Sequence, residues 1–301
     1  MTVVAPQDVS PPALLPLRSR LEWAAEEWIF RRRQALALGR VALGRGHKPT
    51  PLLIFTTSRS GSTWLTELLF GINQCGPLPE HLRPEHFEYA LRAADGGEVL
   101  SNWIHEAAAL VRSGRHGGSK LIWDYFPEFF AGSDISACRS ALAPLLELAP
   151  LCVRLRRKDL VAQAVSRYRS SLTGVYHRSR HTGPPSSASP DFGAGEATAP
   201  VSLVYDAAAV AHHEDILRRG EAHLDATVTS LGFTVHEIVY EDLVAEPREV
   251  LLPIAEFLRS DLGPGGQRQR VERALRRALI QKSRDVEQDE WQQRYRSERG
   301  L

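Results

Sequence analysis

The chain has 301 residues, enough for one large domain or two small ones around a well-buried core. Its hydrophobic share of 43% and charged share of 24% are ordinary for a globular protein, and a formal charge of +1 excludes a general nucleic-acid-binding surface, which needs a clear basic excess. Three cysteines, Cys75, Cys138 and Cys152, show neither disulfide nor metal spacing, no apolar run is long enough to cross a bilayer, and the N-terminus lacks a signal-peptide pattern. A cytoplasmic protein with reduced, buried thiols is the expectation.

Taken in chain order, residues 1–17 are proline-rich and expected to be extended or disordered. A helix is predicted over 19–44, with Ser19 as cap, Gly44 near its end and acids preceding arginines as the helix dipole favours. "LLIFTT" (52–57) reads as a strand and "STWLTELLFGI" (62–72) as a helix. Helices follow at 100–114 and 136–149, with the strand "SKLIWDYF" (119–126) between them. "LCVRLRR" (151–157) is a strand leading into a helix over 158–174. The stretch 178–200, rich in Pro, Gly, Ser and Ala, is expected to be a mobile loop or lid. A long helix spans 207–232, "TVHEIVYEDLV" (234–244) is a strand with its exit, and "PREVLLPIAEFL" (247–258) a helix. Such alternation predicts an α/β fold: a P-loop-like central parallel β-sheet with helices on both faces and an added N-terminal helix. Residues 1–50 form the leader and helical extension, and 51–301 the main domain. Ligands of such sheets bind at the carboxyl ends of the strands.

The turn after the first strand, Ser58-Arg59-Ser60-Gly61-Ser62-Thr63-Trp64, opens directly into a helix. Successive amides at a helix start converge on one point and favour an anion there. Arg59 adds a fixed positive fork, and Ser62 and Thr63 add hydroxyls. A nucleoside-triphosphate loop carries lysine before its hydroxyl residue, where this chain has Ser62, and glycine where it has Thr56. The loop therefore suits a less highly charged anion, or serves as an ordinary strand–turn–helix with a serine cap. A second cationic cluster, Arg156 and Arg157, closes a later strand, with Ser166 almost three turns along the helix that follows. Two anion sites at strand ends suit a nucleotide phosphorylated on both its 5′ and 3′ positions. The bland alternative is that these arginines pair with Asp159 or Glu241.

Across residues 51–298 the sequence resembles the sulfotransferases that use 3′-phosphoadenosine-5′-phosphosulfate (PAPS), particularly the bacterial trehalose-type carbohydrate branch. "TTSRSGSTWL" is similar to that family's 5′-phosphosulfate loop, "GSKLIWDYF" to its Lys-x-x-Trp strand, and "LRRKDLVAQAVSRYRSSLTG" to its 3′-phosphate segment. "YEDL" with the later "IAEFL", and the tail "QKSRDVEQDEWQQRYRSE", follow in the family's order. The resemblance implies transfer of a sulfuryl group from PAPS to an acceptor hydroxyl, with Arg59, Ser60, Gly61, Ser62, Thr63, Trp64, Arg156, Arg157, Ser166 and Arg284 binding the donor. Lys282 joins Arg284 on the 3′-phosphate side. Lys120 is assigned to the sulfuryl group or acceptor, and Trp123 to stacking or to the core.

The acceptor hydroxyl must lose a proton as it attacks. In "CGPLPEHLRPEHFEY", Pro77 stands where the branch has its glutamate, so the base candidates are Glu80, then His81, then Glu85. A sulfuryl group carries less charge than a terminal phosphoryl group, so no metal is required, and Arg59 with the loop amides would stabilise the leaving phosphate. His212 and His213 read as helix-surface residues. The acceptor implied is a carbohydrate, glycolipid or secondary metabolite, with a homodimer permitted. Two rivals remain. One is a P-loop kinase using ATP and magnesium, with Asp124 and Thr63 as metal ligands; the other is a catalytically inactive nucleotide-binding scaffold.

Overall fold

The computed structural model describes residues 50–72, 116–125, 150–173, 203–258, 264–277 and 286–301. The expected N-terminal helix, the helices at 100–114 and 136–149, and the 178–200 loop lie outside these residues. Four parallel strands form one sheet in the order β2-β1-β3-β4: β1 (Thr50–Thr56), β2 (His116–Ile122), β3 (Leu151–Arg156) and β4 (Val235–Val239). β1 sits centrally, and its residues Leu52 to Phe55 are fully buried, as a strand covered on both faces requires.

Side-chain alternation along the strands sends two sets of residues to opposite faces. Leu52, Ile54, Val153, Leu155 and Ile238 share one core with α1 (Ser62–Gly71), α5 (Pro247–Phe257) and α6 (Pro264–Arg277). From α1 this core receives Leu65, Leu68, Leu69 and Ile72, whose 3.6-residue spacing makes one apolar stripe. Burial of each such side chain contributes about 1.5–3 kcal/mol before entropy is counted. The other face meets α3 (Ala207–Leu231) near Phe55, whose ring lies 5.9 Å from Phe233, and Arg154. A further cluster joins α2 (Leu160–Thr173), α3 and α7 (Val286–Arg299) through Val165, Tyr168, Leu217, Trp291 and Tyr295. The expected α/β sheet with helices on both faces is the observed architecture.

Caps explain the boundaries. Asp206 begins α3 by accepting from the Ala208 and Ala209 amides at 2.8 and 3.1 Å, and Gly232 ends it in the left-handed conformation. Asp159 caps α2 by accepting from Ala162 N at 2.9 Å. The strand expected at 119–126 begins earlier, at His116, and stops at Ile122, where Trp123–Tyr125 turn as a 3₁₀ helix. The strand stops there because its partner β1 ends at Thr56, opposite Ile122, and Asp124 bonds instead to the loop that follows β1. Two helices, α6 and α7, were not expected. Their sequences are dominated by charged and glutamine residues, and Val271, Ala274, Trp291 and Tyr295, with Gln267, carry the buried faces. The segment 234–244 divides into β4 and a short α4 (Tyr240–Ala245). Among the described residues, no helix is long and apolar enough to cross a membrane.

Candidate active site

The strand order places a topological switch point between β1 and β3. The chain leaves β1 for β2 on one side, then returns across β1 to β3 on the other. Crevices at the carboxyl ends of such a pair are where ligands of doubly wound sheets bind. The loop 57–61 and the segment 157–160 both emerge there.

The backbone of the first loop is unusual in two positions. Arg59 has φ 60, the one non-glycine residue with positive φ among those described, a conformation costly for a residue with a Cβ. Gly61 has φ 90, and a Cβ on it would lie 2.3 Å from Tyr240 Cδ2, so glycine is required there on both grounds. α1 then begins with no side-chain cap, and by helix geometry its first amides have no carbonyl of their own helix to bind. Ser60, fully buried, places its hydroxyl 2.6 Å from Thr56 Oγ1.

The residue before Arg59 is held on all its polar atoms. Ser58 donates its N–H to Asp124 Oδ1 at 2.5 Å and its hydroxyl to Asp124 Oδ2 at 2.6 Å. Its carbonyl accepts from Gln163 Nε2 at 2.6 Å, and its Oγ accepts from Arg167 Nε at 3.2 Å. Arg167 also pairs with Asp124 Oδ2 at 2.9 Å. Asp124 and Gln163 are fully buried. Thr57 is fixed between Gln163, which donates to its hydroxyl at 2.8 Å, and Glu221, which accepts from it at 2.6 Å.

Three of the expected donor-binding residues converge. Arg59 Nε donates to Ser166 Oγ at 2.9 Å, and Arg157 Nη1 donates to the Arg59 carbonyl at 3.0 Å. Arg157 lies over the Tyr240 ring at 4.9 Å from its centroid, and Trp64 meets the same ring edge-on at 6.3 Å. The buried atom Trp64 Nε1, beside Tyr240, has no hydrogen-bond partner, and Arg157 Nε has none closer than the Glu241 carboxylate, 3.8 Å away. Such donors are what a ligand's acceptors would satisfy.

Arg156 is placed elsewhere. Strand alternation puts it on the face of Arg154, where it binds Asp225 at 2.7 Å and Glu237 at 2.5 Å. Burial works against its charge, but Asp225 and Glu237 outweigh it and raise its pKa further. Arg154, almost fully buried, pairs with Glu221 and, at 3.3 Å, with Asp225. The bland reading of Arg–carboxylate pairing therefore describes Arg156, with acids other than those expected, and in part Arg157, whose Nε lies 3.8 Å from Glu241 Oε1. Lys120 is buried in β2 opposite Ile54, two residues before the strand's end. Trp123, 1% exposed, donates to His223 Nδ1 at 3.0 Å and stacks on that ring, so it belongs to the core. Ser62 is buried and Thr63 half-buried in the first turn of α1. Glu80, His81, Glu85, Lys282 and Arg284 lie outside the described residues.

His213 departs from its expected place on the helix surface. It is half-buried, contacts Arg167 Nη1 through Nδ1, and faces Tyr168 at 5.7 Å. Burial, then the Arg167 charge and His212, push its pKa down to about 4. Asp124, offered as a magnesium ligand in the kinase reading, has both carboxylate oxygens engaged by Ser58 and Arg167. Glu241 accepts from the amides of Lys158 and Asp159 at 2.9 and 3.2 Å and so fixes the turn between β3 and α2.

Sequence reasoning missed Gln163, Arg167 and Tyr240 as neighbours of the loop. A signal for the first two was present. Gln163, Ser166, Arg167 and Ser170 recur at i, i+3, i+4 and i+7, a polar stripe on a helix whose other positions are mostly apolar. Tyr240 had no such signal, since its role depends on the missing Cβ of Gly61.

The family model for Stf0 sulphotransferase matches residues 51–298, and the chain belongs to that family. No curated protein sequence matches it. Among solved structures, it is similar to a sulfotransferase domain from the curacin biosynthetic pathway at 14% identity and TM-score 0.40, covering 85% of this chain and 99% of that one. It is also similar to a sulfotransferase domain from the Synechococcus PCC 7002 olefin synthase at 17% identity and TM-score 0.40, covering 83% and 96%.

Proposed function

We propose that this Stf0-family protein transfers a sulfuryl group from PAPS to the hydroxyl of a carbohydrate, glycolipid or secondary-metabolite acceptor. The observation that carries the reading is the junction of two segments far apart in sequence: Arg59 reaches Ser166 at 2.9 Å, while Arg157 reaches the Arg59 carbonyl at 3.0 Å. One cradle would thereby hold both ends of a nucleotide bearing 5′ and 3′ anions. The loop amides with Arg59 would hold the 5′ phosphosulfate, and Arg157 with Ser166 the 3′ phosphate. The donor supplies the activated sulfuryl group. Arg59 places a permanent positive charge where negative charge grows on the leaving phosphate.

The loop has no lysine before its hydroxyl, and Asp124, the kinase reading's acidic ligand, is bound to Ser58 and Arg167. Both features favour a donor handled without magnesium over ATP. The general base is proposed to be Glu80, with His81 and Glu85 behind it.

Calorimetric titration with adenosine 3′,5′-bisphosphate, against ATP, in chelator and then in magnesium, tests the reading. Metal-independent binding of the bisphosphate is expected. Arg157→Ala should weaken it by about 10–100-fold, the loss of a charge-assisted hydrogen bond worth about 1.5–3 kcal/mol. Preference for ATP with magnesium would refute it.

A further inference from the structure

We propose that Asp124 and Gln163 are positioning residues that clamp Ser58 from opposite sides and so hold Arg59 in the conformation that aims its guanidinium into the site. The inference rests on the donor-site reading only for its binding arm. Ser58 has three polar groups, and each is taken: the N–H and hydroxyl by Asp124, the carbonyl by Gln163. Both partners are fully buried and come from different elements, the turn after β2 and the first turn of α2. The next residue is Arg59, at φ 60. A strained backbone persists where neighbours over-determine it, and here the residue before the strain has no polar atom left to rearrange.

Arg167 does not by itself account for Asp124. A counter-ion needs one carboxylate oxygen, and Arg167 uses Oδ2, at 2.9 Å. Oδ1 is turned to the Ser58 amide. Gln163 carries no charge, yet its amide bonds the same residue and Thr57 next to it.

The test reads hydrogen exchange of the Ser58–Gly61 amides in the ligand-free protein, beside calorimetric affinity for adenosine 3′,5′-bisphosphate, in Asp124→Asn, Asp124→Ala and Gln163→Leu. Asparagine retains an acceptor for the Ser58 amide; alanine retains none. Exchange of the loop amides should rise at least tenfold in Asp124→Ala and clearly less in Asp124→Asn, with Leu53–Phe55 unchanged. Gln163→Leu leaves the Asp124–Arg167 pair intact and should loosen the same amides. Bisphosphate affinity should fall about tenfold in Asp124→Ala and Gln163→Leu at unchanged fold. If Asn and Ala behave alike, Asp124 is only a counter-ion, and the proposal fails. Unchanged loop exchange in Gln163→Leu overturns it as well, and that result stands even where Asp124→Ala does not fold. If the wild-type protein binds no bisphosphate but the exchange pattern holds, the donor reading falls and the clamp survives.

Discussion

Gly61→Ala perturbs the loop at the point where its geometry is least negotiable. The new Cβ would lie 2.3 and 2.4 Å from Cδ2 and Cε2 of Tyr240, separations that no side-chain Cβ tolerates. Alanine at φ 90 costs about 1–2 kcal/mol in backbone strain alone. Tyr240 must then move, giving up its edge contact with Trp64, about 0.5–1.5 kcal/mol, and its place under Arg157, about 0.5–1 kcal/mol. The sum is about 2–4.5 kcal/mol, or a fall in melting temperature of about 4–9 °C at about 2 °C per kcal/mol for a domain of this size. Gly232→Ala supplies the control. It too has positive φ, at 69, but nothing lies within 4 Å of its would-be Cβ. It should cost only the strain, about 1–2 kcal/mol, and leave the loop untouched. Thermal unfolding and bisphosphate titration of both variants would decide. Gly61→Ala should also lose nucleotide affinity, because Tyr240 carries Arg157 with it, whereas Gly232→Ala should keep it. Equal melting temperatures and equal affinities for the two variants would refute the argument that Tyr240 constrains the loop.

Arg156→Ala should leave bisphosphate affinity unchanged in the titration that Arg157→Ala weakens, since Arg156 binds Asp225 and Glu237. Arg154→Met removes the buried partner of Glu221 and should cost about 3 kcal/mol in urea unfolding, the usual result of leaving one charge of a buried pair alone. Burial and the Arg167 charge hold the His213 pKa down at about 4, so between about pH 6.5 and 4 the unfolded chain binds the proton that the folded chain does not. Stability should therefore fall with pH through that window, and His213→Gln should flatten the slope measured by unfolding at successive pH values. His223 and His236, also shifted down by burial, should leave a residue of it.

The strand and helix order was legible because β1 is a continuous apolar run, β3 and β4 are short β-branched or leucine-rich segments, and α1 and α3 carry stripes or caps. The turn between β1 and α1 was legible because small hydroxylated residues between an apolar run and a helical stripe have a composition of their own. What failed to show was pairing across the fold. "LRRKD" offers two adjacent arginines, and no periodicity says which one faces the crevice. The structure decides by strand parity: Arg156, the last residue of β3, follows Arg154 to one face, while Arg157, past the strand's end, turns to Tyr240 and Arg59. His213 misled for a related reason. Its neighbour His212 is exposed, and only the packing of α3 on α2 separates the two.

The missing lysine of the first loop finds its counterpart in this arrangement. A nucleoside-triphosphate loop carries its cation within the turn, one residue before the hydroxyl. Here the turn holds Arg59, whose backbone is strained, whose guanidinium bonds to Ser166, and whose carbonyl is bound by Arg157 from the neighbouring strand's exit. Positive charge thus comes partly from α2's side of the switch point, and the loop's shape depends on buried groups outside it, Asp124 and Gln163. The proposed donor, with one anion at each end of a nucleoside, needs charge at two places rather than concentrated at one. Splitting the cations between two strand exits, and fixing their separation through Arg59 and Ser166, matches that need.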